Sequence, residues 1–92
     1  MEFEYDLTKS VQNKEKHGIS LEQAKGLWMV PNVQLQAKTI DEPRYMIIGK
    51  TQGKLHSCIY TIRGQSIRLI SARRSRVSEE KIYHDYIKAQ KN

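Results

Sequence analysis

Alternating apolar and polar positions divide the chain into a helical first third, a strand-rich middle and a closing helix. Leu21, Ala24 and Trp28 fall on one stripe at helical spacing. Four runs, 33–40, 44–51, 55–62 and 66–72, have the strand period of two. The closing helix carries Ile82, Tyr83, Tyr86 and Ile87 on one side. The pattern predicts an α+β fold with two N-terminal helices, a four-stranded antiparallel sheet and a C-terminal helix.

Capping residues predict where the helices begin and end. Thr8 predicts the start of a first helix that ends at His17, where Gly18 supplies a left-handed stop. The other predicted signals are a capping box of Ser20 and Gln23, a stop at Pro31 and a cap at Ser78.

Short connections at 41–43, 52–53 and 63–65 predict hairpins, and therefore antiparallel pairing. In this arrangement the helices cover one sheet face and leave the other free. Arg68 and Arg73 are five residues apart, which places them on opposite faces unless a bulge or the end of the strand intervenes near Ser71.

Positive charge is concentrated in the middle of the chain. The 92 residues carry 16 basic and 10 acidic side chains, a net charge of +6. Residues 43–78 contain every arginine and no aspartate or glutamate. The basic residues there are Arg44, Lys50, Lys54, Arg63, Arg68, Arg73, Arg74 and Arg76. This segment favours a polyanion, most simply nucleic acid, as the partner, and a solvated basic surface is the alternative.

Length and cysteine use limit the organisation of the chain. We expect one domain over 1–92, because so short a chain leaves no room for a second core. Cys58 is the only cysteine, so an internal disulfide is excluded and a reducing cytoplasm is the expected location. The acidic N-terminus lacks a secretory pattern, and no apolar run has the length of a membrane span.

Several short motifs, taken together, resemble the BrnT family of toxins. They are Phe3-Glu4-Tyr5-Asp6, Asn13-Lys14-Glu15-Lys16-His17-Gly18, Arg44 with Ile48-Gly49, Arg63-Gly64, and Ile67-Arg68-Leu69-Ile70-Ser71-Ala72-Arg73-Arg74. The resemblance implies a RelE-like endoribonuclease toxin of a type II toxin–antitoxin pair that inhibits translation and growth. It also implies a DNA-binding, ribbon-helix-helix antitoxin of the BrnA type, with two toxins on one antitoxin dimer and operator DNA bound only through the antitoxin.

RNA carries its own nucleophile, the 2′-hydroxyl. Its cleavage therefore needs a base, an acid and cations around the phosphate, but no metal. His17 is the first candidate for proton transfer, because histidine is the side chain whose ordinary pKa lies near neutrality. A histidine in the last turn of a helix can instead interact only with the helix dipole. The Lys16-His17-Gly18 motif of the resembled family favours catalysis. The candidates for stabilising the phosphate are Arg63, Arg68 and Arg73, extended by Lys16.

Six further residues are candidates for RNA binding: Arg44, Arg74, Arg76, Lys50, Lys54 and Tyr83. The basic ones can instead serve solubility alone. Tyr83 stands at helical spacing with apolar neighbours, which is more typical of a core residue.

The sequence predicts an enzyme without a metal or other cofactor. His17, His56 and His84 lack the spacing of a zinc site, and no glycine-rich phosphate loop is present. The basic segment has no carboxylate pair for two-metal chemistry.

Two other functions remain open. A non-catalytic nucleic-acid-binding module would use the same basic sheet, with Tyr45, Tyr60 and His56 stacking on bases. A protein-interaction domain would dock an acidic partner on this surface.

Overall fold

The computed structural model describes residues 1–38 and 41–91, which form three α-helices, one 3-10 helix and five strands. In chain order these are β1 (Glu2–Glu4), α1 (Leu7–His17), α2 (Leu21–Ala24), the 3-10 helix (Lys25–Met29), β2 (Asn32–Gln36), β3 (Tyr45–Thr51), β4 (Lys54–Arg63), β5 (Ser66–Arg74) and α3 (Val77–Gln90). Positions 39 and 40, the predicted end of the first run, lie outside the described residues. None of the described helices is long and apolar enough to cross a membrane.

The sheet is mixed and has five strands in the order β1-β5-β4-β3-β2. β1 runs parallel to β5, with Phe3 opposite Ile67, while the other neighbours are antiparallel. The predicted four-stranded antiparallel sheet is therefore wrong. β1 has only three residues and one apolar side chain, which is too short a pattern to predict a strand. β1 forms because Phe3 packs against the core while its backbone pairs with β5.

The prediction of two N-terminal helices is wrong as well, because the second one keeps α-helical geometry for only four residues. α2 does begin with the predicted capping box, in which the Gln23 backbone N–H donates to Ser20 Oγ and the Ser20 N–H donates to Gln23 Oε1. After Ala24 the chain tightens into the 3-10 helix. Glycine at position 26 weakens the α-helix, and short 3-10 segments commonly end one.

Besides the capping box of α2, one further predicted helix end is confirmed, and two are set by other residues. α1 begins after Asp6, whose carboxylate accepts the backbone N–H of Lys9 at 2.9 Å, and not after Thr8. Gly18 ends α1 in the left-handed region at φ 76°, as predicted. α3 begins at Val77, before the predicted cap.

Two apolar clusters lie on opposite faces of the sheet. The larger contains Ile19, Leu21, Ala24, Leu27, Ile47, Cys58, Tyr60, Leu69 and Ala72. The smaller contains Val33, Ile48, Leu55 and Tyr83. Consecutive residues of β3 belong to different clusters, as the strand period requires. Helices therefore cover both faces, an α1/α2 face and an α3 face, and the expectation of one free face is wrong.

A bulge in β5 decides where the arginines of that strand lie. Ile59 pairs with Ser71 and Tyr60 pairs with Leu69, so Ile70 is an extra residue without a partner. Leu69 and Ala72 consequently reach the same cluster although they are three residues apart. The residues beside them, at positions 68 and 73, both lie on the α3 face. The bulge thus unites two arginines that regular alternation would separate.

Candidate active site

Asn13 fixes α1 against the part of β5 that lies beyond its pairing with β1, which ends at Arg68. Its side-chain amide donates to the carbonyl oxygens of Ile19 and Ala72, at 2.7 and 2.8 Å. Its Oδ1 accepts the backbone N–H of Ala72 at 3.2 Å. The buried amide therefore satisfies the edge as a neighbouring strand would. This anchor places the last turn of α1, with Lys16 and His17, beside the strand.

His17 lies where two clefts meet. The edge cleft, of about 300 Å³, lies between α1 and β5, and its lining includes Gln12, Asn13, Lys16, His17, Ile70 and Ser71. The end cleft, of about 250 Å³, is lined by His17, Gly18, Gln52, Lys54, His56 and Arg74. In the part of the chain that the structure describes, neither cleft is lined by an acidic side chain. The two clefts bring a proton-transfer group, His17, together with the cations of Lys9 and Lys16 on one side and those of Lys54 and Arg74 on the other.

Arg68 and Arg63 lie on strands β5 and β4, where each faces one carboxylate. Arg68 Nη1 is 3.6 Å from Glu4 Oε1, and Arg63 Nη2 is 3.9 Å from Glu42 Oε1. Ion pairs that are this long and this exposed contribute little free energy, because water solvates both partners. Both guanidinium groups are therefore able to exchange their carboxylate for a phosphate.

Arg73 differs, because its charge is bound into a compact network with Glu79 of α3. Arg73 Nη1 and Nη2 donate to the two carboxylate oxygens of Glu79, both at 2.9 Å. The Ser57 hydroxyl and the Arg76 backbone N–H also donate to Glu79, at 2.8 and 3.0 Å. The Glu79 side chain is only 10% exposed. The network attaches the start of α3 to β5 and β4.

Hydrogen bonds from Arg73 are the largest cause that lowers the pKa of Glu79, to about 2. Burial acts in the opposite direction, while the Arg76 N–H and the Ser57 hydroxyl lower the pKa further. The same pairing raises the pKa of Arg73. The two charges offset each other, so Arg73 offers a bound phosphate less than a free guanidinium would.

The other predicted RNA-binding residues are spread over the surface and the core. Arg44 directly precedes β3 and is half-exposed, Lys50 is exposed on β3, and Arg76 is exposed at the start of α3. Tyr83 is only 9% exposed and packs with the smaller cluster. Its ring is therefore occupied by packing.

The residues proposed for base stacking are also packed inside. Tyr60 is buried, stacks on Tyr45 with ring centroids 5.5 Å apart and meets Trp28 edge to face. His56 is buried in the floor of the end cleft. These rings do not form the open aromatic platform that a single-strand-binding sheet uses.

Residues 5–79 match the model of a protein family whose description is ribonuclease toxin, BrnT, of type II toxin-antitoxin system. The chain belongs to the BrnT family. The resemblance inferred from the motifs is confirmed. A comparison with curated proteins gave no match.

Membership in the BrnT family makes the protein a ribonuclease toxin, with RNA as substrate and an antitoxin as partner. The matched stretch contains both clefts and ends at Glu79, the residue that binds Arg73. It leaves out β1 and most of α3.

Sequence reasoning missed residues of this region whose partners are distant along the chain. Asn13 and Ala72 are 59 positions apart, and Ser57 and Glu79 are 22 apart. A local signal existed only for Glu79, since a glutamate in the first turn of a helix commonly accepts a backbone N–H. The sequence offers His56 for base stacking and excludes it from a zinc site, but nothing in the sequence places it beside His17.

Proposed function

We propose that this BrnT toxin is a single-domain endoribonuclease, spanning 1–92, that needs no metal. The observation that carries the proposal is the position of His17 between two clefts lined by cations and by no described acid. A histidine can both accept and donate a proton near neutral pH. Cations around it stabilise the negative charge that develops on a phosphate during displacement.

In the proposed reaction, the RNA 2′-hydroxyl loses its proton to a base, and its oxygen attacks the adjacent phosphorus. The new O–P bond forms as the bond to the 5′-oxygen breaks, and an acid protonates that leaving oxygen. The products are a 2′,3′-cyclic phosphate and a 5′-hydroxyl. We assign proton transfer to His17 and stabilisation of the charge at the cut phosphate to Lys16 beside it. Arg68 and Arg63 line neither cleft, so we assign them to other phosphates of the same strand, and Arg73 is a contributor that also holds α3.

Cleavage of RNA in the presence of a chelator tests the proposal. The full chain, incubated with a single-stranded RNA and excess EDTA, is expected to cut it at the same rate as without EDTA. A DNA strand of the same sequence is the control, because it lacks the attacking hydroxyl and should stay intact. Loss of cleavage in EDTA would contradict metal independence. Stoichiometric binding with intact RNA would favour the non-catalytic binding module.

The affinity for RNA is expected to depend steeply on salt. If about four or five phosphates meet a lysine or arginine, the log of the binding constant falls with log salt at a slope of about −3. Binding is measured between low and physiological salt on an RNA whose 2′-hydroxyl is methylated at the cleaved position. A slope near zero would contradict an electrostatic interface.

We propose a ribbon-helix-helix antitoxin of the BrnA type, assembled 2:2 with the toxin, as the partner in the cytoplasm. We expect the antitoxin to inhibit the toxin by covering the cationic clefts with acidic or carbonyl groups, so RNA and antitoxin should compete. DNA would bind only through the antitoxin. Expression of the toxin is expected to arrest translation and growth, and co-expression of the antitoxin should relieve the arrest. A stable complex of toxin, antitoxin and RNA would contradict this mode of inhibition.

A further inference from the structure

We propose that the end cleft is a second phosphate subsite, in which Lys54 and Arg74 bind the RNA phosphate next to the one that is cut. This inference rests on the proposed function, since it extends the RNA path beyond His17. The shared position of His17 between the two clefts carries it. A strand whose cleaved phosphate lies at His17 can place its neighbour in either adjoining cleft. The edge cleft has two lysines, Lys9 and Lys16, whereas the end cleft combines Lys54 with an arginine, whose planar fork matches two phosphate oxygens.

The sheet register brings the two cations of the end cleft together. Lys54 begins β4 at the β3–β4 hairpin, and Arg74 at the end of β5 is paired with His56. Both side chains are exposed, and neither takes part in an ion pair among residues 1–38 and 41–91. Free cations on adjoining strands are a suitable receptor for one phosphate group. A cleft of about 250 Å³ is also small for a larger ligand.

His56 is the third member of the end cleft on these strands, where it is buried and paired with Arg74. Its Nδ1 is 3.0 Å from the Lys54 carbonyl oxygen, which can only accept, so Nδ1 carries the proton. Burial lowers the pKa of His56, and the nearby charges of Arg74 and Lys54 lower it further, against the carbonyl groups of Lys54 and Thr51 that raise it. The ring is therefore neutral at neutral pH. It adds no charge and leaves phosphate binding to the two side chains above it.

The cleft differs from the position of Arg73, where a carboxylate already occupies the guanidinium. The end cleft is lined by no such internal anion among the described residues, so its two cations are free to bind an external one. RNA supplies that anion as a phosphodiester at the spacing fixed by its own backbone. The subsite would therefore set how the strand is aligned on His17.

The test combines charge-removing variants with RNA that lacks one charge. In the full chain, Lys54→Gln with Arg74→Gln is compared with Lys38→Gln with Lys88→Gln, which removes the same net charge from exposed lysines outside both clefts. The probe is a non-cleavable RNA in which a neutral methylphosphonate replaces one phosphate at a time. Thermal melting checks that all variants fold as the parent does.

The end-cleft variant is expected to bind the unmodified RNA at least tenfold more weakly than the parent and to flatten its salt slope by about 0.7, because one phosphate contact is lost. The control pair should change the slope far less. Replacing the phosphate next to the cut site should weaken the parent about tenfold and leave the end-cleft variant unchanged, because the contact is already lost.

Equal effects of the two variant pairs, or equal sensitivity of parent and end-cleft variant to every methylphosphonate, would overturn the subsite while leaving the ribonuclease proposal standing. If the parent protein neither binds nor cuts RNA, the proposed function fails, and the subsite fails with it. Lys54→Arg keeps the positive charge and Lys54→Gln removes it. If Lys54→Arg keeps the parental sensitivity to the methylphosphonates and Lys54→Gln loses it, a direct phosphate contact is supported.

Discussion

His17→Ala is expected to lower the rate of RNA cleavage by about 10²–10⁴-fold while changing the affinity for RNA little. The substitution removes the group assigned to proton transfer but keeps every lysine and arginine of the two clefts. Single-turnover cleavage and binding to a non-cleavable RNA, both at neutral pH, separate the two effects. Growth arrest on expression should be lost together with cleavage.

His84→Ala is the matched control for His17→Ala. His84 is also exposed, but it lies on α3 outside both clefts, and its removal should leave cleavage at the parental rate. A folded His17→Ala protein that cuts RNA as fast as the parent would remove histidine from the mechanism. The stabilising interaction of a histidine with the helix dipole would then be the remaining account of this position.

Glu79→Gln is expected to lower the free energy of unfolding by about 3 kcal/mol at pH 7, because it leaves the half-buried guanidinium of Arg73 without its counter-charge. The lowered pKa of Glu79 also predicts how the stability depends on pH. The pKa of Glu79 in the folded protein, about 2, is below the ordinary value of 4.5. The ionised carboxylate therefore stabilises the fold fully above about pH 4.5, and this contribution is lost as the pH falls towards 2.

Urea unfolding between pH 7 and pH 3 measures this effect, with Glu80→Gln as the control. Glu80 stands next to Glu79 in the same first turn but makes no ion pair among the described residues, so its removal should cost less than about 1 kcal/mol. The parent should lose stability towards pH 3, and the Glu79→Gln protein should lose much less. Parallel curves for the two proteins would show that this network does not stabilise the fold.

The elements of this fold were predictable where their signals are local. The capping box of Ser20 and Gln23, the stop at Gly18 and the runs that became β3 to β5 all depend on neighbouring residues. β1 was not predictable, and the sequence raises a bulge near Ser71 only as a possibility, because both features exist only through pairing with another strand. The prediction of a four-stranded sheet was wrong because it lacked β1.

The candidate site divides in the same way. Lys16 and His17 are adjacent in the chain, so their common location follows from the motif alone. The sequence shows that Arg73 is basic, but it does not show that Glu79 of α3 binds Arg73 and offsets its charge. Charge counted along a sequence therefore overestimates the cations that are free to bind a ligand.

Because β5 has one extra residue, the number of residues in this strand decides on which face of the sheet its arginines lie. Deletion of Ile70 would restore regular alternation and turn either Arg68 or Arg73 towards the apolar cluster on the α1/α2 face. Side-chain substitutions at the same position keep the count and so keep both arginines on one side. Among relatives of this protein, this strand should therefore tolerate exchanges of residue type far better than the gain or loss of a single codon.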